Sequence, residues 1–535
     1  MNNFIHVPMH KLYAILSTAL FFSSTQLKSE PTKAEPMNVV FILADDLGWA
    51  DTSLFGKTEL YETPNLERLA KRGMLFSRSY ASPLCSPTRA AILTGQTNLR
   101  NGSTTPAHHL GVERLKPVLR KNAPLHEKAI IPESVTRLDT AYPTLVTRFK
   151  KAGYATAHFG KWHLGPEPYS PLEHGFDVDI PHFNGPGPGG GFIAPWSYKN
   201  LKPNKPGEHI EDRMAEEAVK WMKSVKNKPF FLNYWMFSVH APFDAKEGLI
   251  KKYRGKIDPK DPQHSPTYAA MVESTDDAVG TLMDAIDELG LTSKTVFIFT
   301  SDNGGNMYNG IKETDKNAKP FIVEPTSNRP LRGGKATIYE GGIRVPTVIA
   351  WPSLTKKASH SEEIIQCIDF YPTLVKGLGV SMPKGHIVDG IDITPALKGG
   401  KLDRAGIITY FPHSPPIPDW LPPSISVHSG DWKLIRLFHQ GEKGAHAYRL
   451  YNLREDIGES KDLTKQNPEK VKSLDKIIQD HIDDTKGIVP VPNPRFDPAE
   501  YKPESIGIQP KGLKVAGNPK PKAKRKPKKK EQKKP

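Results

Sequence analysis

A chain of 535 residues, 37% of them hydrophobic, can bury a large core, so disorder of the whole chain is excluded. The formal charge of +16 is concentrated at one end. Residues 511–535 hold twelve Lys or Arg against the single acid Glu531, a net of +11, which leaves +5 for everything else and excludes a strongly basic body.

In chain order, His10 and Lys11 precede an apolar run from Leu12 to Phe22 and the polar Ser23, Ser24 and Thr25. This reads as a secretory signal peptide over residues 1–28, too short to span a membrane stably; an uncleaved anchor is the alternative. No other segment reaches transmembrane length, so an exported protein, periplasmic or secreted, is expected. After a linker, 29–36, the continuous apolar run Asn38 to Ala44 has the pattern of a strand buried on both faces, and it ends in Asp45-Asp46.

The stretch from Leu84 to Gly95 predicts a helix. Pro87 suits a first turn, Ala90 to Leu93 continue it and Gly95 stops it, so Cys85 falls at or just before the N-terminus. Unpaired backbone N–H groups and the helix dipole favour anions there, and Arg89 adds a positive charge one turn on. The position reads as a reactive thiol or an anion site. Because the chain carries one other cysteine, Cys367, a disulfide is the competing reading; otherwise Cys367 is a small core residue in the apolar stretch Ile364 to Phe370.

Thr144 to Ala152 has a helical period, and the strand Ala155 to Phe159 runs into Gly160-Lys161-Trp162-His163. A Pro/Gly-rich surface loop, Pro181 to Pro195, is expected near a cleft. Met214, Ala218, Trp221, Met222 and Val225 mark a helix, and the apolar run Phe230 to Val239 predicts a strand ending at His240. A helix through Val272, Val279 and Ile286 precedes the strand Thr295 to Thr300, which ends in Ser301-Asp302-Asn303-Gly304-Gly305. Gly333-Gly334-Lys335 leads towards a further buried run, Thr347 to Trp351, and Ile364 to Leu378 predicts a helix interrupted at Pro372.

From about residue 400 the texture changes. Strands are expected at Ile407 to Phe411, Trp432 to Phe438 and Ala447 to Leu453, then a helix through Val471, Leu474, Ile478 and Ile482. The predicted fold is α/β: a large, mostly parallel sheet flanked by helices over 37–400, and a small antiparallel sheet with a packed helix over 401–487. Residues 488–535 are predicted to be a Pro/Lys-rich disordered tail. It lacks the interleaved aromatics of a nucleic-acid binder and is either a solvated tail or a contact to anionic envelope or sulfated polymers.

Four strand ends carry ionisable residues, and in parallel sheets ligands bind beyond the carboxyl ends. Asp45, Asp46, Asp302 and Asn303 offer hard oxygen ligands that suit Ca²⁺, with Mg²⁺ as the alternative; as turn or cap residues they would need no ion. Arg89, Lys161 and Lys335 supply positive charge, and His163 and His240 can move protons near neutral pH. His182, Trp196, His413, Trp420 and His428 are positional guesses for a substrate rim.

Cys85-x-Pro87-x-Arg89 with Leu93-Thr94-Gly95, together with Asp45-Asp46, Gly160-Lys161-Trp162-His163, His240 before Ala241-Pro242, Asp302-Asn303-Gly304-Gly305 and Gly333-Gly334-Lys335, resembles the formylglycine-dependent sulfatases of the alkaline phosphatase superfamily. One departure is Gln96, where the family pattern often has a basic residue. The resemblance implies oxidation of Cys85 to formylglycine by a maturation enzyme, and Ca²⁺ held by Asp45, Asp46, Asp302 and Asn303 beside residue 85. It implies hydrolysis of a sulfate ester, with a sulfated sugar expected from export and the open loop. Carried over, one hydroxyl of the hydrated aldehyde attacks sulfur after Asp302 takes its proton. Arg89 and Lys161 hold the diol, His240 with Lys335 protonates the leaving alcohol, and His163 deprotonates the second hydroxyl to release sulfate. A phosphatase of the same superfamily and a non-catalytic binder of sulfated polymers are the rival readings.

Overall fold

The computed structural model describes residues 36–314 and 319–516. The predicted signal peptide and most of the basic tail lie outside the described residues.

Among the described residues, nine strands form the main sheet: β1 (Asn38–Ala44), β2 (Met74–Tyr80), β3 (Ala155–Gly160), β4 (Val178–Ile180), β5 (Phe230–Trp235), β6 (Thr295–Ser301), β7 (Arg344–Ala350), β8 (Ser359–Ser361) and β9 (Ile365–Gln366). The order is β8-β2-β7-β6-β1-β5-β3-β4, with β9 also on β2. Only β7 runs antiparallel to its neighbours. That reversal positions the site: the loop entering β7, which carries Lys335, reaches the same edge at which β1, β3, β5 and β6 end.

Alternate residues of β1 serve two cores, which is why its sequence is apolar throughout. Val40, Ile42 and Ala44 pack under α3 (Ile210–Val225) and α4 (Pro266–Glu288). Val39, Phe41 and Leu43 pack under α1 (Cys85–Thr94), α2 (Leu145–Lys151) and α5 (Phe370–Gly377). All ten residues of α1 are buried, and Gly95 closes the helix at φ 67°, donating its N–H to the Ala91 carbonyl.

The second sheet has four consecutive antiparallel strands: β10 (Ile407–Phe411), β11 (Ser424–Ser429), β12 (Trp432–Leu437) and β13 (Ala447–Asn452). Leu474 and Ile478 of α6 (Pro468–Thr485) pack against one face, as expected. The strand β11 went unread, although Ser424-Ile425-Ser426-Val427-His428-Ser429 alternates with period two. The other face joins Leu84, Ile338 and Tyr339 in a shared core, so this sheet leans on the chain neighbours of Cys85 and Lys335.

Three expectations are corrected. The apolar run from Phe230 leaves the ladder after Trp235: Met236 N–H still reaches Leu43 O on β1, but Phe237 and Ser238 N–H turn to the Glu211 carboxylate, and Val239 N–H bonds Asp45 O beyond the end of β1. Pro372 does not interrupt a helix; it sits in the first turn of α5, where no N–H is needed, and the break lies before Phe370. Residues 488–516, expected in the disordered tail, instead pack on the body, with Val491–Pro492 paired to Ala129–Ile130 and Lys514–Val515 paired to Asn309–Gly310.

Phe41 meets the ring of Phe370 edge-on at 5.2 Å. Phe41→Ala opens a cavity between β1 and α5 and is expected to cost ~3–5 kcal/mol, read as a lower midpoint of urea unfolding.

Candidate active site

Each of the residues selected as catalytic or metal-binding comes to the carboxyl edge of the main sheet. Asp45 and Asp46 follow β1, Lys161 and His163 follow β3, His240 follows the loop after β5, and Asp302 and Asn303 follow β6. Cys85 opens α1, and Lys335 arrives on the loop before β7. Asp45, Asp46, Arg89, Lys161, His163, Asp302 and Asn303 are 0% exposed, and Cys85 is 1% exposed.

Charges so deeply buried persist only when paired. Arg89 donates through Nε and Nη2 to Asp302 Oδ2 at 3.0 and 2.6 Å, and through Nη1 to the Lys161 carbonyl at 2.7 Å. Lys161 Nζ donates to Asp45 Oδ2 at 2.5 Å, and Lys335 Nζ to Asp46 Oδ2 at 2.7 Å. Asn303 Nδ2 donates to Asp46 Oδ1 at 2.8 Å, and the Asp46 N–H to Asp302 Oδ1 at 3.2 Å. Three carboxylates thus face three fixed cations.

The carboxylates still crowd one another. Burial, reinforced by the charge of Asp45, pushes Asp302 up to about 7 despite Arg89, and burial also raises Asp45. At Asp46 burial acts in the same sense, but Lys335 and His240 overcome it and hold the carboxyl well below the usual range. Burial keeps both histidines neutral: His240 falls to about 3, with Lys335 adding to the effect, and His163 falls well below its ordinary value, with Lys161 adding. Burial raises the Cys85 thiol, so as a thiol it is not the anionic nucleophile that a helix N-terminus alone suggested.

Two oxygens in this shell, Asp45 Oδ1 and Asn303 Oδ1, are buried and accept no hydrogen bond. Donor atoms of Asp45, Cys85 and Asp302 lie within 4.8 Å of one another, as do those of Asp45, Asp46 and His240. Orphaned hard oxygens in an acidic shell fit an oxygen-loving divalent cation. His240 is turned by its Nδ1, which meets the Ala241 carbonyl at 2.5 Å, leaving Nε2 3.8 Å from Asp46 Oδ2.

Cys85 Sγ lies 3.6 Å from His163 Nδ1. His163 and Asp46 both adopt left-handed backbone, at φ 55° and 65°, a strain that concentrates at functional positions. Both cysteines are free, so the disulfide reading is set aside.

The chain belongs to the sulfatase family. Its family model, described as Sulfatase, matches residues 37–380, and a second, described as N-sulphoglucosamine sulphohydrolase, C-terminal, matches 334–486. N-acetylgalactosamine-6-sulfatase of Rattus norvegicus is 34% identical over 69% of this chain and 67% of its own length. Arylsulfatase A of Homo sapiens is 32% identical over 80% of this chain and 84% of its own. The crystal structure of Ps i-CgsB in complex with k-i-k-neocarrahexaose has the same fold, with a TM-score of 0.67 at 24% identity, covering 84% of this chain and 93% of that one. The sulfatase is a sulfuric ester hydrolase of the alkaline phosphatase superfamily.

Sequence reasoning missed two residues that support the candidate site of this sulfatase. His109 meets His163 Nε2 through its Nδ1 at 2.9 Å, and only its place in a His108-His109 pair could have drawn notice. Glu211 fastens the loop that carries His240, and nothing in its helical spacing marks it. Of the rim guesses, His413 and Trp420 line a large cavity beside the site, and His182 pairs with Asp179 and Glu167 over a smaller one. Trp196 belongs to the core, and His428 is fully buried against Glu340, so neither forms a rim.

Lys161→Met strands the Asp45 carboxylate in the interior and is expected to cost ~3–5 kcal/mol of stability. Adding Asp45→Asn should recover much of that loss, and a double-mutant cycle of urea unfolding measures the coupling.

Proposed function

We propose that this sulfatase is exported and hydrolyses a sulfate ester on a sulfated sugar, using formylglycine made from Cys85 and a bound Ca²⁺ or Mg²⁺. The observation that carries the reading is the pair of orphaned oxygens, Asp45 Oδ1 and Asn303 Oδ1, in a shell that includes Cys85. Asp45, Asp46, Asp302, Asn303 and residue 85 would hold the cation. Because three carboxylates already balance Arg89, Lys161 and Lys335, the ion would leave a surplus of positive charge for an incoming sulfate.

A hydrated aldehyde at residue 85 supplies two hydroxyls on one carbon, one to attack sulfur and one through which the sulfate is later released, which a thiol cannot do. Asp302 takes the proton of the first hydroxyl, and Arg89 and Lys161 hold the pair in place. His163, 3.6 Å from the residue 85 side chain, takes the proton of the second. Lys335, beside the Nε2 face of His240, gives a proton to the bridging oxygen as the S–O bond breaks and the alcohol leaves.

The burial of Cys85 inside a fully buried helix supports modification before folding, since a maturation enzyme has no access to it in the folded chain. The likeness to N-acetylgalactosamine-6-sulfatase supports a sulfated sugar as substrate. Export rests on residues 1–28; among the described residues no helix is long and apolar enough to cross a membrane. We assign residues 37–400 to the catalytic domain and 401–487 to a C-terminal subdomain, with the basic residues beyond 516 as a contact for anionic envelope or polysaccharide.

Protein from a host able to make formylglycine is expected to carry an aldehyde or its hydrate at residue 85 by peptide mass, and Cys85→Ala to lower aryl-sulfate kcat/KM by ~10³-fold or more. An unmodified cysteine in fully active protein sinks the mechanism. Chelation should abolish turnover and added Ca²⁺ restore it; activity indifferent to the chelator would remove the metal from the site.

A further inference from the structure

The ordered segment after α6 shapes a cavity that the catalytic residues do not occupy. Residues 488–515 lie beyond residue 486, where the second family match ends, yet they run across the molecule as a strap. Asn493 Nδ2 donates to the carbonyls of Pro124 and Glu127, and the Asp497 N–H to that of Leu125. Lys128 Nζ sits 4.6 Å from the centre of the Tyr501 ring and donates to the Gln440 carbonyl at 3.1 Å. Trp420 Nε1 donates to the Ile508 carbonyl at 3.2 Å, and the Asp419 N–H to that of Gly507 at 2.8 Å. The strap therefore ties the 124–130 loop to the 417–423 loop, and the space between them is walled in.

That space is about 900 Å³, within the usual range for a site that takes a small organic ligand. It borders the candidate active site: Leu84 and Ala336, the chain neighbours of Cys85 and Lys335, line it, as does Tyr308, which lies within the electrostatic reach of Lys335. Trp420 and Tyr501 contribute aromatic wall, which suits the apolar faces of a sugar ring. Arg120, Lys128 and Lys502 contribute positive charge, against the carboxylates of Glu127 and Glu500. No carboxylate is ion-paired with Arg120 or Lys502 among the described residues, and Arg120 is close enough to His413, which also lines the cavity, to help depress it. Both side chains belong to exposed residues, so they hold their charge at the mouth of the cavity rather than in its structural frame.

From this we infer that the strap builds a second subsite, which receives the sugar ring next to the sulfated one in an acidic oligosaccharide, with Arg120 and Lys502 meeting an anionic group on that ring. The inference rests on the sulfated-sugar reading above. It makes the enzyme selective for chain length, through residues that neither family model covers in the case of Lys502, Tyr501 and the strap that carries them.

The test is direct binding to the Cys85→Ala protein by calorimetry, which needs no turnover. The probes are a sulfated monosaccharide and the tetrasaccharide of the same series, taken from chondroitin 6-sulfate, heparan sulfate and carrageenan. In one series the tetrasaccharide is expected to bind about tenfold tighter than the monosaccharide. Arg120→Ala with Lys502→Ala should erase that ratio, and Trp420→Ala should reduce it. Equal affinity for both lengths in every series overturns the subsite, as does a double variant that keeps the ratio or weakens both lengths equally. If no sulfated sugar binds while the unsubstituted enzyme turns over 4-nitrophenyl sulfate, the sugar reading fails, and the subsite falls with it. Loss of the aryl-sulfate activity itself would instead fault the catalytic assignment.

Discussion

Arg89 and Asp302 meet through two hydrogen bonds to one carboxylate oxygen where neither residue has any exposed surface. Around them, Lys161 answers Asp45 and Lys335 answers Asp46. Taking six charges out of water costs several kcal/mol per ion, and the cost is recovered only if each charge meets its partner at hydrogen-bond distance. The surrounding architecture serves that requirement. Strand ends deliver the carboxylates, a wholly buried helix delivers Arg89 one turn after Cys85, and the reversed strand β7 brings Lys335 to the same edge.

The small sheet is part of this frame. Glu340, fully buried at the start of the short helix Glu340–Ile343 that follows Lys335, accepts bonds from Tyr80, His428 and Lys433, and Lys433 also pairs with Glu459. Glu459 in turn accepts the Glu340 N–H. Two strands of the second sheet thereby hold the loop that presents Lys335 to Asp46. The apolar cluster of Leu84, Ile338, Tyr339 and Ile435 reinforces the same junction from the side of Cys85. A change in the second sheet therefore acts on the candidate site through packing and buried charge, although the side chains of that site come from the first sheet's strand ends, its loops and α1.

The site also draws on conformations that loops alone would not keep. Asp46 and His163 hold left-handed backbone next to strands whose ladders fix the chain on one side, and His163 is further held by Ser86 Oγ donating to its carbonyl at 2.7 Å. The loop from Met236 to His240 has no ladder of its own and is carried by β1 and by Glu211. Burial raises that carboxyl to about 7, against the bonds it receives from Ser238 and Phe237. Strain, buried charge and unsatisfied oxygens all converge on the site around Cys85.

Much of this was legible in the chain. The continuous apolar run of β1 could be stable only with both faces covered, which meant a layered α/β fold, and the ionisable residues stood directly after such runs. The pattern around Cys85 and Arg89 follows from helix geometry, which sets residues four apart on one face. What the sequence could not state is anything that depends on a partner far along the chain. The reversal of β7, the bond from Lys335 to Asp46 across 289 residues, the Glu211 carboxylate that ends β5 early, and the order of residues 488–516 all arise from long-range contacts. Local composition made the last of these look like a tail, because its prolines and lysines bury little surface of their own; its hydrogen bonds to distant loops exist only once those loops are in place. Periodicity determined the elements and the edge at which chemistry collects, while tertiary packing decided which charges meet, because only it brings them close enough to repay their desolvation.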